Sequence, residues 1–282
     1  MRPSVIFTFM NYEVRRALAR RKVLIFVAFT ILLDTIPYYI LSTSHLTVIP
    51  ASDYPYLWVA GVFAPLSFFI QFIAIFIAAG AMSEEYEQGT AEMLLSKPVS
   101  RTEYFVGKFL GGYFLLFCIV VLNSLLSILA ATATFGNQSS LSIVPGVVLV
   151  ETYASLLFYS VAFMLGELIR RSSISYIFAT AVYFASDLAG LYISIVSELT
   201  GTNSFKVIQM YIPTSPEGSL SLQYAISNLP SGAARILQFI SATGPVEPST
   251  IFSALLIGAY FLVSTAVALA FFSRYDVSKK VG

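Results

Sequence analysis

The 282-residue chain has one cysteine and one histidine. A single cysteine closes no intrachain disulfide, and Cys118 sits inside an apolar run, which leaves the redox compartment open. His45 and Cys118 alone cannot make a His/Cys metal site, and an H-E-x-x-H zinc protease needs two histidines. Charge is equally scarce: 11% of residues are Asp, Glu, Lys or Arg, against about 25% in soluble proteins. The net charge of +1 offers no basic field for nucleic acid. There is no G-x-x-x-x-G-K-[ST] phosphate loop, because Gly107-Lys108 is followed by Phe109 and lacks the earlier glycine. No internal repeat is visible, which argues against an inverted-repeat transporter.

What fills the chain instead is apolar sequence, 57% of all residues. Six runs stand out, over 23–41, 57–82, 104–134, 147–169, 174–196 and 251–272. Each reaches the roughly 20 residues that cross a hydrocarbon core. Lipid offers the backbone no hydrogen-bond partners, and the runs lack the short alternation of barrel strands, so all are expected to be helices. The fold class is therefore an all-α polytopic membrane protein with one transmembrane domain over 1–282. The first run is too long for a signal peptide's apolar part and no small-residue cleavage site follows it, so it is expected to be retained. With both termini cytoplasmic, 14 of the 16 basic residues fall on inner segments, and only Lys206 and Arg235 fall outside. That bias satisfies the positive-inside rule.

The polar segments carry the detail. Over residues 4–22, Phe7, Met10, Val14 and Leu18 share a helical stripe, with Glu13, Arg16 and Arg20 on other faces. This predicts an amphipathic interfacial helix whose arginines hold lipid phosphates. Residues 83–103 form an inner segment: Ser83 reads as an N-cap before Glu84, Glu85 and Glu87, Gly89-Thr90 as a break, 91–96 as a short helix, and Ser100 as the next cap. Met93-Leu94-Leu95 are apolar residues there that want a partner surface. The long outer segment 197–250 is expected to hold short helices over 220–229 and 233–241. Asn137 lies in an outer N-x-S sequon, open to glycosylation in a host that glycosylates.

Few polar groups lie within spans. Asp34, Asn123 and Asp187 are candidates to line a translocation path, and each equally suits a helix-to-helix hydrogen bond. Glu151 and Glu167 fall near the ends of the fourth run, and Glu167 with Arg170 and Arg171 reads as a solvated ion-pair cluster. Pro37 and Pro65 are expected to bend their helices, and Tyr54, Tyr56 and Trp58 to form an outer aromatic belt.

The stretch E-E-Y-E-Q-G-T-A-E-M-L-L-S-K-P-V-S-R from Glu84 to Arg101, followed by Gly107-Lys108, resembles the membrane subunit of ABC-2 type transporters. The six-span layout and large last outer loop fit that family as well. The resemblance implies that this stretch is a coupling helix. Glu84, Glu85, Glu87, Gly89, Thr90, Leu94, Leu95, Pro98 and Arg101 would then lie at or near a cytosolic ATPase subunit. It also implies two copies of that ATPase, which bind ATP and Mg²⁺ while this chain binds neither. A second permease subunit, identical or different, would complete the pathway in the lipid of the plasma membrane, and the direction would be export. An intramembrane protease does not fit, since Glu84-Glu85 falls outside the spans with no histidine partner. A non-transporting scaffold or channel that recruits a cytosolic partner is the alternative reading.

Overall fold

A computed structural model describes residues 2–43, 50–66, 68–96, 98–201, 203–240 and 249–274. His45, Lys97, Lys279 and Lys280 lie outside the described residues, as do the side chains of Asp34, Pro37, Pro65 and Leu95. Every described element is helical: α1 (Pro3–Ala19), α2 (Arg21–Thr43), α3 (Trp58–Leu66), α4 (Phe69–Glu87), α5 (Thr90–Leu95), α6 (Arg101–Phe135), α7 (Val144–Ile169), α8 (Ser172–Thr200), α9 (Asn203–Met210), α10 (Thr214–Asn228), α11 (Ser231–Ile240) and α12 (Thr250–Ser273). Two 3-10 turns, Ala51–Tyr56 and Leu141–Ile143, precede α3 and α7. Six helices, α2, α4, α6, α7, α8 and α12, are long and apolar enough to cross a membrane.

The core sits around α7, which packs on α4, α6, α8, α10 and α12. Small residues set how closely these helices approach. Gly166 of α7 lies against the backbone of Ala79 in α4, and a Cβ there would overlap the Ala79 carbonyl oxygen. Gly107 and Gly111, one turn apart on α6, do the same for α1. A Cβ on Gly107 would sit 2.6 Å from the Phe9 Cβ, and one on Gly111 2.6 Å from the Met10 carbonyl oxygen. Burial is uneven: 78% of the apolar window of α4 is enclosed, against 17% for α8 and 19% for α2. The faces of α2 and α8 are thus left for lipid or another chain.

The run over 57–82 is two helices rather than one. Pro65 stands near the end of α3, and α4 begins at Phe69 after a break. The sequence had suggested only a bend at Pro65; the proline's missing donor and crowding fall on the turn before it, which stays helical, and do not by themselves account for the new start at Phe69. Aromatic rings pack around it: Phe68 lies 4.9 Å from Phe72 and 5.9 Å from Tyr183 between ring centroids. Backbone groups at the start of α3 find side-chain partners, as apolar surroundings require. The Gly61 N–H donates to the Tyr38 hydroxyl at 2.9 Å, and the Trp58 N–H to Gln138 at 3.3 Å. Trp58 itself is fully buried and its Nε1–H donates to the Ser139 carbonyl at 3.0 Å. It anchors one loop to another instead of standing in an aromatic belt.

The segment between α8 and α12 is helical over most of its described length. The expected helices over 220–229 and 233–241 correspond to a longer α10 and to α11, and α9 comes in addition. Arg235 of α11 grips Asp53 of the first 3-10 turn with two Nη2 contacts of 2.8 and 2.9 Å.

Candidate functional site

Three helices meet at the end of the bundle that carries α1: α1 itself, the last turns of α4 and the first turns of α6. Acidic residues in a last helical turn are opposed by the helix dipole. Ser83, Glu84, Glu85 and Glu87 lie in the final turns of α4, so Ser83 is not the N-cap its sequence suggests. Its hydroxyl donates back to the Ala79 carbonyl at 2.6 Å. The cost of placing the carboxylates there is met by cations from two other helices.

Arg16 of α1 contacts Glu85 at 2.6 Å and Glu84 at 3.2 Å. Arg20 contacts Glu84 at 2.8 Å and Glu13 at 3.0 Å. Lys108 of α6, fully buried, binds both Glu13 and Glu85. Tyr104 and Tyr176 donate to Glu85 and Glu84 respectively. Arg16 and Arg20 also donate to backbone carbonyls within α4: Gly80 at 3.2 Å, Ala81 at 3.3 Å and Ile77 at 3.0 Å. The knot holds three carboxylates, Glu13, Glu84 and Glu85, and three cations, Arg16, Arg20 and Lys108, so its formal charge is zero. Burial works against the Arg16 charge, but Glu13, Glu85 and Glu84 outweigh it and hold the guanidinium above its ordinary value.

The knot changes the expected partners of the α1 arginines. Phe9, Glu13 and Ala17 are buried, Met10 and Val14 are half-buried, and Phe7 and Leu18 are exposed. Arg16 and Arg20 bind protein carboxylates where lipid phosphates were expected.

Beyond the knot the chain turns at Gly89, whose φ of 68° is a left-handed conformation that glycine adopts without strain. α5 follows, and then Ser100 opens α6 with a capping box to Glu103. At 35 residues α6 is about 52 Å long, so its first turn projects past a hydrocarbon core of about 30 Å. There the Arg2 guanidinium and amide both donate to Glu103 and hold its carboxyl down to about 2. The stability this clasp adds is complete above the ordinary carboxylate range and is lost as pH falls toward 2. Arg2 also donates to the Pro98 carbonyl at 2.7 Å, and Arg101 to the Ser273 carbonyl of α12 at 2.8 Å.

The nine residues expected at a partner contact therefore divide. Glu85 is buried in the knot, and Glu84 is mostly committed to it. Thr90 and Leu94 are half-buried, Leu94 against the core. Glu87, Gly89, Pro98 and Arg101 are exposed. Among the described side chains of the segment, the most exposed large apolar one is Met93, at 59%. Residue reading missed Glu13, Arg16, Arg20 and Lys108 as one unit. The available signal was a lysine inside an apolar run and a lone glutamate among arginines.

Of the path candidates, Asn123 is buried in α6 with neither amide atom hydrogen-bonded among the described residues. Asp187 is exposed on α8, and the Asp34 side chain lies outside the described residues. Glu167, expected to be solvated, is buried between the Tyr86 hydroxyl at 2.7 Å and Arg170 at 2.9 Å. Asn137 is exposed between α6 and α7.

A family model described as "ABC-2 family transporter protein" matches residues 8–277. No curated relative matches the chain.

Proposed function

The chain belongs to the ABC-2 family of transporter proteins, and on that premise we propose that it is the permease subunit of an ATP-driven exporter. ATP and Mg²⁺ would be held by a separate ATPase subunit, two copies of which serve a pair of permease chains in the plasma membrane. The α1 end then faces the cytoplasm with both termini. The observation that supports this reading is the turn and short helix from Glu87 to Arg101, tied to the buried knot. It presents Glu87, Met93, Pro98 and Arg101 outward while its root is fixed to α1, α4 and α6.

A push on α5 would pass through the knot to three helices at once. Buried ion pairs resist partial separation, because each charge pulled from its partner is left unpaired in apolar surroundings. The segment would therefore move with the helices as one body. The sparsely buried faces of α2 and α8 would meet the second permease, with Asp187 of α8 on the surface facing it.

Met93→Asp places a charge on the exposed apolar contact without touching the knot. In copurification with the cognate ATPase, the variant is expected to lose binding by at least about tenfold, the scale on which buried anchor residues act at interfaces. It should also fail to stimulate ATP hydrolysis in vesicles. Full binding and coupling by Met93→Asp would remove the projecting segment as the contact. If the wild-type chain recruited no ATPase at all, the scaffold or channel reading would take its place.

A further inference from the structure

A second polar cluster is buried far from the knot, where α4, α7 and α10 meet. α7 contributes Glu151 and, one turn on, Ser155; α10 contributes Glu217 and, one turn on, Ser221; α4 contributes Gln71. All five are less than one-tenth exposed. Glu151 lies seven residues into α7 from its start at Val144, about 10 Å along the helix. Gln71 Nε2 donates to Glu217 Oε1 at 2.6 Å and to Ser155 Oγ at 3.4 Å. Ser155 in turn donates to the Glu151 carbonyl at 3.0 Å.

Gln71 Oε1 has no hydrogen-bond partner among the described residues, and the side-chain group that faces the Glu151 carboxylate is the neutral Ser221 hydroxyl. None of the ion pairs among the described residues includes Glu151 or Glu217. Asp187 of α8 adds further negative potential at Glu217, and Tyr183 is the other titratable neighbour. From α12 the facing group is the neutral Ser253, 3.0 Å from Ser219. The cluster thus has a surplus of oxygen acceptors and no positive charge, the reverse of the balanced knot. Buried carboxylates are retained only when a charge or a proton satisfies them.

We propose that Glu151, Glu217, Gln71 and Ser221 form a binding site for a small monovalent cation of the sodium class, fastening α10 to α4 and α7. An all-oxygen ligand set suits a hard cation over the softer metals that prefer imidazole or thiolate. Two carboxylates and one monovalent cation leave one negative charge over, so Glu217, which Gln71 meets at Oε1, keeps a proton while Glu151 offers its charge to the ion. The cation supplies the charge that Glu151 lacks and the contact that Gln71 Oε1 lacks.

The test uses the full chain in lipid nanodiscs at about pH 8, with sodium replacing choline at constant ionic strength. The unfolding midpoint is expected to rise by about 5–10 °C as sodium reaches about a hundredfold above half-saturation. Glu151→Gln and Gln71→Leu should each abolish the sodium-dependent rise. Glu198→Gln, an exposed change near the end of α8, should keep it. A wild-type midpoint indifferent to sodium overturns the proposal, and that series decides even if the variants fail to fold. A midpoint that ignores sodium yet shifts between about pH 6 and 8, and stops shifting in Glu151→Gln, shows a shared proton in place of the cation and equally overturns it.

Discussion

Lys108→Met is expected to destabilise the protein by about 3–5 kcal/mol, because it leaves Glu13 and Glu85 buried without their shared cation. The methionine fills nearly the same volume, so lost packing contributes little. Arg16 and Arg20 remain to hold the two carboxylates, but both are already divided among several acceptors. The ammonium also lies 4.9 Å from the Tyr12 ring centroid, a contact the thioether does not replace. The measurement is the unfolding midpoint in lipid nanodiscs, beside a combined Glu85→Gln, Lys108→Met variant, which leaves Glu13 and Glu84 balanced by Arg16 and Arg20. Neutralising one carboxylate and the lysine together should cost less than removing the lysine alone, since a neutral set of similar shape can replace a buried ion pair at little net cost. A single variant as stable as the wild type would show that the knot is hydrated and weakly coupled.

The second large effect falls on Gly166. In an unconstrained helix position, replacing glycine by alanine gains up to about 1 kcal/mol. At Gly166 the sign should reverse, because the nearest obstacle is the backbone of Ala79 and no side chain can swing aside. Gly166→Val forces α4 and α7 apart and is expected to cost about 3 kcal/mol, the upper range of overpacking. Gly218, in α10, has nothing within 4 Å of where its Cβ would stand, so Gly218→Ala should be neutral or stabilising. Midpoints moving in opposite directions would confirm that the α4–α7 spacing is set by the glycine; a neutral Gly166→Val would reject it.

The membrane architecture was legible in the sequence because a hydrocarbon core imposes length and apolarity on every span. The capping at Ser100 and the turn at Gly89 were legible for local reasons, as both depend on residues within one turn. Facing was not. A stripe such as Phe7, Met10, Val14 and Leu18 shows which residues share a side of α1 but leaves open which side meets protein. That depended on Glu84, Glu85 and Lys108, roughly 65–95 residues away in the chain. The same limit hid the cluster at Glu151 and Glu217. Each glutamate looks peripheral in its own segment, and only the packing of α10 against α7 brings them together.

The knot also has a consequence for the order in which the chain is made. Glu13 leaves the ribosome 95 residues ahead of Lys108, a gap of roughly 5–19 s at ordinary rates of synthesis. Until then Arg16 and Arg20 outnumber Glu13, the one carboxylate they can meet within their own segment, and the set must stay in water. α1 is thus made before α4 and α6 but seated on them only after both have emerged. A nascent chain halted before residue 108 is expected to leave α1 open to protease, and one halted well beyond it to protect α1. α1 acts as a latch that waits for a lysine 95 residues downstream.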